Sequence, residues 1–242
     1  MWQSLRLNLY AMRQSPAFVV ILAVLTGCNI LFMQVPATAA TLDGAKDAFD
    51  FLFGDISTLF CACGIYAGFA VCNDLHNGLT RYVSASGISR RTWMTGRYIC
   101  WLLGALCLLL ADFVLAMIFA LPLQGCEVPL PVLVGHLLQT FLFAVPLYCG
   151  ILSLFFLAGV LFQNSGVTIA VNVILSLLAY ASTRGICVKI NPMEQLIALA
   201  RQGIREPGSY GIACFLSVGI CAASLAGALI RLERQPLTEG RR

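Results

Sequence analysis

Asp112 is a carboxylate near the middle of an apolar run that extends from residue 98 to residue 121. A charged group in a hydrocarbon environment is costly, so it needs a hydrogen-bonding partner, a bound proton or a water-filled cavity. Asn172 is a polar residue in a later apolar run, and such residues more often join helices to one another. We expect Asp112 and Asn172 either to line a path for a transported molecule or to be satisfied by hydrogen bonds within the protein.

The cysteines do not form a pattern typical of a reactive site. Most of the eleven lie within or beside apolar runs, where they behave as small hydrophobes. Cys61 and Cys63 are separated by one residue, which is not the spacing of zinc ligands. We therefore expect no metal and no cofactor on this chain. Cys126 and Cys187 fall outside the apolar runs, and whether they form a disulfide is left open.

The sequence also shows no set of residues that is typical of a catalytic site within a membrane. An enzyme acting within a membrane would need paired carboxylates, a serine with a base, or histidine ligands for zinc at the same depth. The sequence has no Gly-rich loop ending in Lys-Ser or Lys-Thr, which would cradle ATP phosphates. We expect His136 to lie at the membrane interface and His76 in a solvated loop. The chain is not expected to be an enzyme by itself.

The composition is that of a membrane protein. Of the 242 residues, 60% are hydrophobic and 11% are charged, and the mean hydropathy is +0.87, whereas a soluble domain carries roughly 25% charged residues. A run of about 20 apolar residues spans a bilayer core, and the sequence has six runs near that length or longer. They cover residues 17–35, 56–72, 98–121, 132–162, 167–182 and 211–230. We predict an all-α polytopic membrane protein with six transmembrane helices in a single domain, residues 1–242.

The fourth run is longer than a bilayer requires, and the fifth is short. As a straight helix the fourth would reach roughly 46 Å, so we expect it to tilt, to kink at Pro146 or to lie partly in the interface. Only residues 163–166, with the turn-forming sequence Gln-Asn-Ser-Gly, separate the two runs.

Lysine and arginine are distributed unequally between the two sides of the predicted bundle. With a cytoplasmic N-terminus, ten of them lie inside and five outside. Cytoplasmic loops are enriched in these residues, so we predict that both termini are cytoplasmic and that the protein lies in the cell membrane. Residues 1–16 have apolar positions at helical spacing and are predicted to form an interfacial helix, or else a simple basic anchor. Residues 231–242 form a cytoplasmic tail.

The loop between the second and third runs, residues 73–97, has the most regular pattern outside the runs. Asn73 or Asp74 can cap a short helix, Gly87 suits a left-handed stop, and Ser89 can cap the next helix. The apolar face of the short helix consists of Leu75, Leu79, Tyr82 and Val83. Such a helix can pack on lipid, on its own bundle or in a groove of a partner.

The order of residues in this loop resembles a known family. The similarity lies in an acidic residue, the sequence Gly78-Leu79-Thr80-Arg81, then Gly87, Ser89, Arg90 and a final basic Arg97. The loop is similar to the first cytoplasmic loop of permease subunits in type-2 ATP-binding-cassette (ABC) exporters. The resemblance implies six spans, both termini inside, an interfacial N-terminal helix and a coupling helix that sits in a cleft of a separate ATPase.

The resemblance also implies partners and roles. The residues expected to couple to the ATPase are Asp74, Leu75, Gly78, Leu79, Arg81 and Tyr82. ATP and Mg would be bound by that partner, and a second permease chain, identical or different, would complete the transporter. Bacterial family members of about this length export peptide antibiotics or give immunity to them, which implies a peptide or another amphiphilic compound as the exported molecule.

Residues 183–210, before the last run, contain a second strong helix signal. Asn191 can cap a helix, Pro192 suits its first position, and Glu194 suits its third. A stripe of Met193, Leu196 or Ile197, Ala200 and Ile204 would follow, and Glu206-Pro207-Gly208 would end the helix. The resemblance implies that this short extracellular helix is a gate, with Asn191, Pro192 and Glu194 at its start. The alternative is an interfacial connector whose arginines meet lipid phosphates.

Two other kinds of protein stay open. A stand-alone secondary carrier or channel would need more polar or broken spans near the midplane, or inverted repeats. A structural membrane protein without transport activity fits the same composition.

Overall fold

The computed structural model describes residues 6, 16–34, 50, 56–76, 89–124, 129–181, 191–202, 204 and 206–234. Within these residues the fold is all-helical. The helices are α1 (Pro16–Gln34), α2 (Ile56–His76), α3 (Arg90–Gln124), α4 (Leu130–Phe162), α5 (Ser165–Ala181), α6 (Pro192–Gln202) and α7 (Pro207–Arg234). Of the predicted N-terminal helix the structure describes only Arg6, which is helical and exposed, and Pro16, which begins α1.

Among the described residues, three helices are long and apolar enough to cross a membrane: α3, α4 and α7. Three shorter apolar helices, α1, α2 and α5, accompany them. Many large apolar side chains on these helices point outward, including Phe215 at 79% exposure and Leu142 at 69%. Because an exposed apolar surface of this extent is unfavourable in water, the chain is a helical, membrane-embedded protein.

Helix α4 lies at the centre of the bundle and packs against α2, α3, α5, α6 and α7. It is one continuous helix through Pro146, with a length of ~50 Å for its 33 residues. It ends at Gln163, which has a left-handed backbone with φ of 52° and donates its N–H to the carbonyl of Gly159. Asn164 then caps α5 by accepting a hydrogen bond of 3.2 Å from the N–H of Val167. The predicted turn at this point is confirmed, and it is shorter than residues 163–166.

The buried core includes several large aromatic side chains. Trp93 and Trp101 of α3 belong to the same buried cluster as Phe60 and Tyr66 of α2 and the aromatic residues of α4. Phe156 of α4 makes an edge-to-face contact with Tyr98, with ring centroids 5.1 Å apart, and such pairs add to the energy of simple burial.

Close approach of α2 to its neighbours depends on glycine. A Cβ atom at Gly64 would lie 2.8 Å from Cβ of Asn172 on α5, and one at Gly68 would lie 2.4 Å from Cγ1 of Ile169. Gly64 and Gly68 form a Gly-x-x-x-Gly pair, the spacing that lets two helices in a membrane approach closely. The sequence therefore contained a signal for this α2–α5 contact, which our sequence analysis did not use.

Candidate functional site

Asp112 is fully buried on α3 and is held by two side chains of α1. Thr26 donates a hydrogen bond of 2.9 Å to Oδ1, and Asn29 donates one of 2.7 Å to Oδ2. Thr26 and Asn29 are three residues apart, so they lie on the same face of α1. Each carboxylate oxygen thus has its own donor. We expected Asp112 either to line a transport path or to be satisfied by hydrogen bonds within the protein. The arrangement matches the second expectation.

Asn172 lies in a different contact, between α5 and α2. It is fully buried and donates a hydrogen bond of 3.2 Å to the carbonyl of Gly64. Its side-chain oxygen is buried and has no hydrogen-bond partner among the described residues. Asp112 and Asn172 therefore join separate pairs of helices, and the structure does not bring them together through hydrogen bonds.

The loop predicted at residues 73–97 is shorter than expected at both ends. Helix α2 continues to His76, so Asp74 and Leu75 belong to its last turn and do not start a separate helix. Helix α3 begins at Arg90, and Ser89 caps it by accepting a hydrogen bond of 3.2 Å from the N–H of Thr92. The predicted cap at Ser89 is confirmed, whereas the prediction that His76 lies in a loop was wrong. The polar residues at these ends stop an apolar run without stopping a helix, because Asn, Asp and Arg are all tolerated in helices.

Most of the predicted coupling residues cannot be placed. Gly78, Leu79, Arg81 and Tyr82 lie outside the described residues, so the coupling surface stays a prediction. Arg97, the last basic residue of the motif, is buried on α3 and donates a hydrogen bond to the carbonyl of Ala70 on α2. This residue was counted among the ten lysines and arginines predicted to be cytoplasmic, and that orientation stays a prediction. Its guanidinium ties together the two helices that flank the loop.

The predicted helix before the last apolar run is present as α6. Asn191 caps it, because its Oδ1 accepts a hydrogen bond of 3.0 Å from the N–H of Met193, and Pro192 is the first helical residue. Glu194 is half-buried in the first turn. Met193, Leu196 and Leu199 are buried and face the bundle, chiefly α4. Asn191, Pro192 and Glu194 therefore start a helix that is packed on the bundle.

A cavity of about 290 Å³ lies between α4 and α6. Its lining residues are His136, Gln139, Thr140, Phe143, Leu199 and Ile204. His136 is half-buried and its Nε2 lies 2.9 Å from Oδ1 of Asp50. His136 was predicted from the sequence only to lie at the membrane interface, and this cavity was not predicted. The available signal was the spacing of His136, Gln139 and Thr140, which puts three polar side chains on one face of an apolar helix.

The cysteines that the structure describes are free thiols. Cys72 of α2, for example, lies 3.1 Å from the hydroxyl of Thr168 on α5 and donates weakly to the carbonyl of Gly159 on α4. Cys126 and Cys187 lie outside the described residues, so their disulfide stays an open prediction. Among the described residues no three His, Cys, Asp or Glu side chains are grouped as metal ligands would be.

No protein-family model matches this chain, and no curated protein matches it.

Proposed function

We propose that this chain is the membrane-spanning permease subunit of an ATP-driven exporter of the type-2 ABC class. It would cross the bacterial cell membrane six times, with α1 to α5 and α7 as spans and both termini in the cytoplasm. A separate ATPase would bind ATP and Mg, and a second permease chain, identical or different, would complete the transporter. The exported molecule would be a peptide or another amphiphilic compound.

The observation that carries this proposal is the position of α6. This capped helix of 11 residues has a strongly amphipathic sequence, lies directly before the last apolar helix, and packs on α4 by Met193, Leu196 and Leu199. The resemblance assigns a short extracellular gate helix to the same place in the chain. A packed gate with Asn191, Pro192 and Glu194 at its start could change its contact with α4 while the spans rearrange.

The base of the predicted coupling loop also supports the proposal. Arg97 joins α3 to the carbonyl of Ala70 on α2, and α2 packs closely on α5 through Gly64 and Gly68. Asp112 joins α3 to α1 through Thr26 and Asn29. A displacement of the loop by an ATPase would therefore reach α2 and α3 as a unit, and would be passed to α1 and α5 through hydrogen bonds and close-packed surfaces.

An affinity pull-down from detergent-solubilised native membranes tests the proposal. The chain should retain an ATPase, identified by mass spectrometry, and should lose it when Leu79 and Tyr82 are both changed to glutamate. Arg234→Glu is a suitable control, because Arg234 is exposed near the end of α7 on the same proposed side. If the intact chain carries no ATPase under conditions that preserve another ABC complex, a carrier, a channel or a structural protein becomes the better assignment.

A further inference from the structure

The cavity between α4 and α6 has one polar wall. His136, Gln139 and Thr140 line it from α4, and their spacing of three and four residues puts them on the same helix face. His136 is held in place by its contact with Asp50. The three side chains together offer an imidazole, an amide and a hydroxyl.

Thr140 is the most informative residue of this wall. It is only 5% exposed, and it lines the cavity from α4. Buried serine hydroxyls elsewhere in the bundle bond to the carbonyl four residues earlier, as Ser176 and Ser217 do. A hydroxyl can both donate and accept a hydrogen bond, so Thr140 at the cavity wall offers a bonding site to a molecule that occupies the cavity.

The rest of the lining is apolar. Phe143 follows the polar residues on the same face of α4, and Leu199 and Ile204 come from α6 and the residues after it. Tyr210 of α7 holds the Phe143 position, because its hydroxyl donates a hydrogen bond of 2.6 Å to the carbonyl of Phe143 and the two rings meet edge to face. The cavity therefore combines hydrogen-bonding and apolar side chains, as binding sites for small molecules do.

We propose that this cavity binds a small amphiphile, a molecule or lipid part with an amide or ester next to a branched apolar group. Its volume of about 290 Å³ equals that of about ten water molecules, which limits the bound part to a similar number of non-hydrogen atoms. The amide of Gln139 and the hydroxyl of Thr140 can each donate a hydrogen bond to the carbonyl oxygen of an amide or ester. This assignment does not depend on ATP-driven export.

Saturation-transfer NMR with the purified full chain in detergent micelles tests the proposal. The probes are the N-acetyl amides of leucine, valine and phenylalanine, which combine amides with one apolar side chain. Removing the polar wall with Gln139→Leu and Thr140→Val should weaken binding at least about tenfold, since two hydrogen bonds are lost. Wild type and variant share the same micelle, so the difference between their signals excludes simple partition of the probe.

Thr92→Val is the matched control, because Thr92 is capped by Ser89 at the start of α3 and does not line the cavity. Its binding should equal that of the wild type. The same measurement in lipid nanodiscs separates the sources of the ligand: loss of probe binding there identifies a bilayer lipid as the occupant, and retention identifies a soluble amphiphile. If none of the three probes binds the folded wild type, or if the variant with Gln139→Leu and Thr140→Val binds them equally well, the assignment is overturned.

Discussion

Asn29 donates a hydrogen bond of 2.7 Å to Oδ2 of Asp112, and this bond joins α1 to α3. The neighbouring bond from Thr26 reaches the other carboxylate oxygen. Two donors from one helix face thus hold one carboxylate of another helix. Among the stronger helix contacts, α1 packs only on α2 and α3. The two hydrogen bonds to Asp112 therefore give α1 a specific register on the bundle.

We predict that Thr26→Val lowers the stability of the purified protein by about 1–2 kcal/mol, because it leaves Oδ1 of Asp112 without its donor. Thermal unfolding in detergent, followed by size-exclusion chromatography, measures the effect. Thr140→Val is the matched control, since Thr140 lies on α4 and is not one of the two donors to Asp112, and its effect should be smaller. Equal effects of the two substitutions would contradict the role of Thr26.

We predict that Gly64→Ala destabilises the bundle by about 1–3 kcal/mol through overpacking. The new Cβ would meet Cβ of Asn172 at 2.8 Å, and neither atom can rotate away. Gly219→Ala on α7 should be neutral or slightly stabilising, because a Cβ there has nothing within 4 Å. Thermal unfolding of both variants in one detergent checks this, and a Gly64→Ala protein as stable as the Gly219→Ala protein would refute the close α2–α5 contact.

We predict that Arg97→Ala lowers stability by about 1.5–3 kcal/mol, the range for a hydrogen bond to a charged group. Arg97 is 4% exposed and donates to the carbonyl of Ala70. Arg231→Ala, at an exposed position on α7, should change stability by less than about 0.5 kcal/mol. If the complex with an ATPase is recovered, its ATPase stimulation should fall in Arg97→Ala even at temperatures where the protein stays folded, which a purely structural role would not cause.

We predict that both termini lie in the cytoplasm. A green fluorescent protein fused after Arg242 should fluoresce in bacterial cells, because the fluorophore forms in the cytoplasm, and alkaline phosphatase inserted after Lys189 should be active outside. The reverse result for either reporter would contradict the orientation predicted from lysine and arginine.

The positions of the helices could be predicted from the sequence because hydropathy reports them directly. Every predicted apolar run coincides with part of an observed helix, but the ends differ by up to eight residues. The run at 98–121 was cut at Tyr98, whereas α3 starts at Arg90. Charge ends an apolar run, but it does not end a helix, and the capping by Ser89 sets the true start.

The contacts between helices could not be predicted in the same way. Nothing in a single sequence states that Thr26 and Asp112 are neighbours, because 86 residues separate them and helix order within a bundle is not encoded in periodicity. The cavity was missed for the same reason: His136, Gln139 and Thr140 were visible as polar positions of one helix, but Leu199 and Ile204 come from a segment more than 50 residues later. The cap at Asn191 was predictable because it is local.

The connection between α4 and α5 has a consequence for the biosynthesis of the bundle. Gln163 and Asn164 are the only residues between the two helices, and a link of that length spans about 10 Å. If both helices cross the bilayer, as we propose, they enter it as a helical hairpin, in which no soluble segment has to be moved across. At 17 residues, or ~26 Å, α5 is short for an independent membrane helix, so its insertion as a span would depend on that of its long and strongly apolar neighbour.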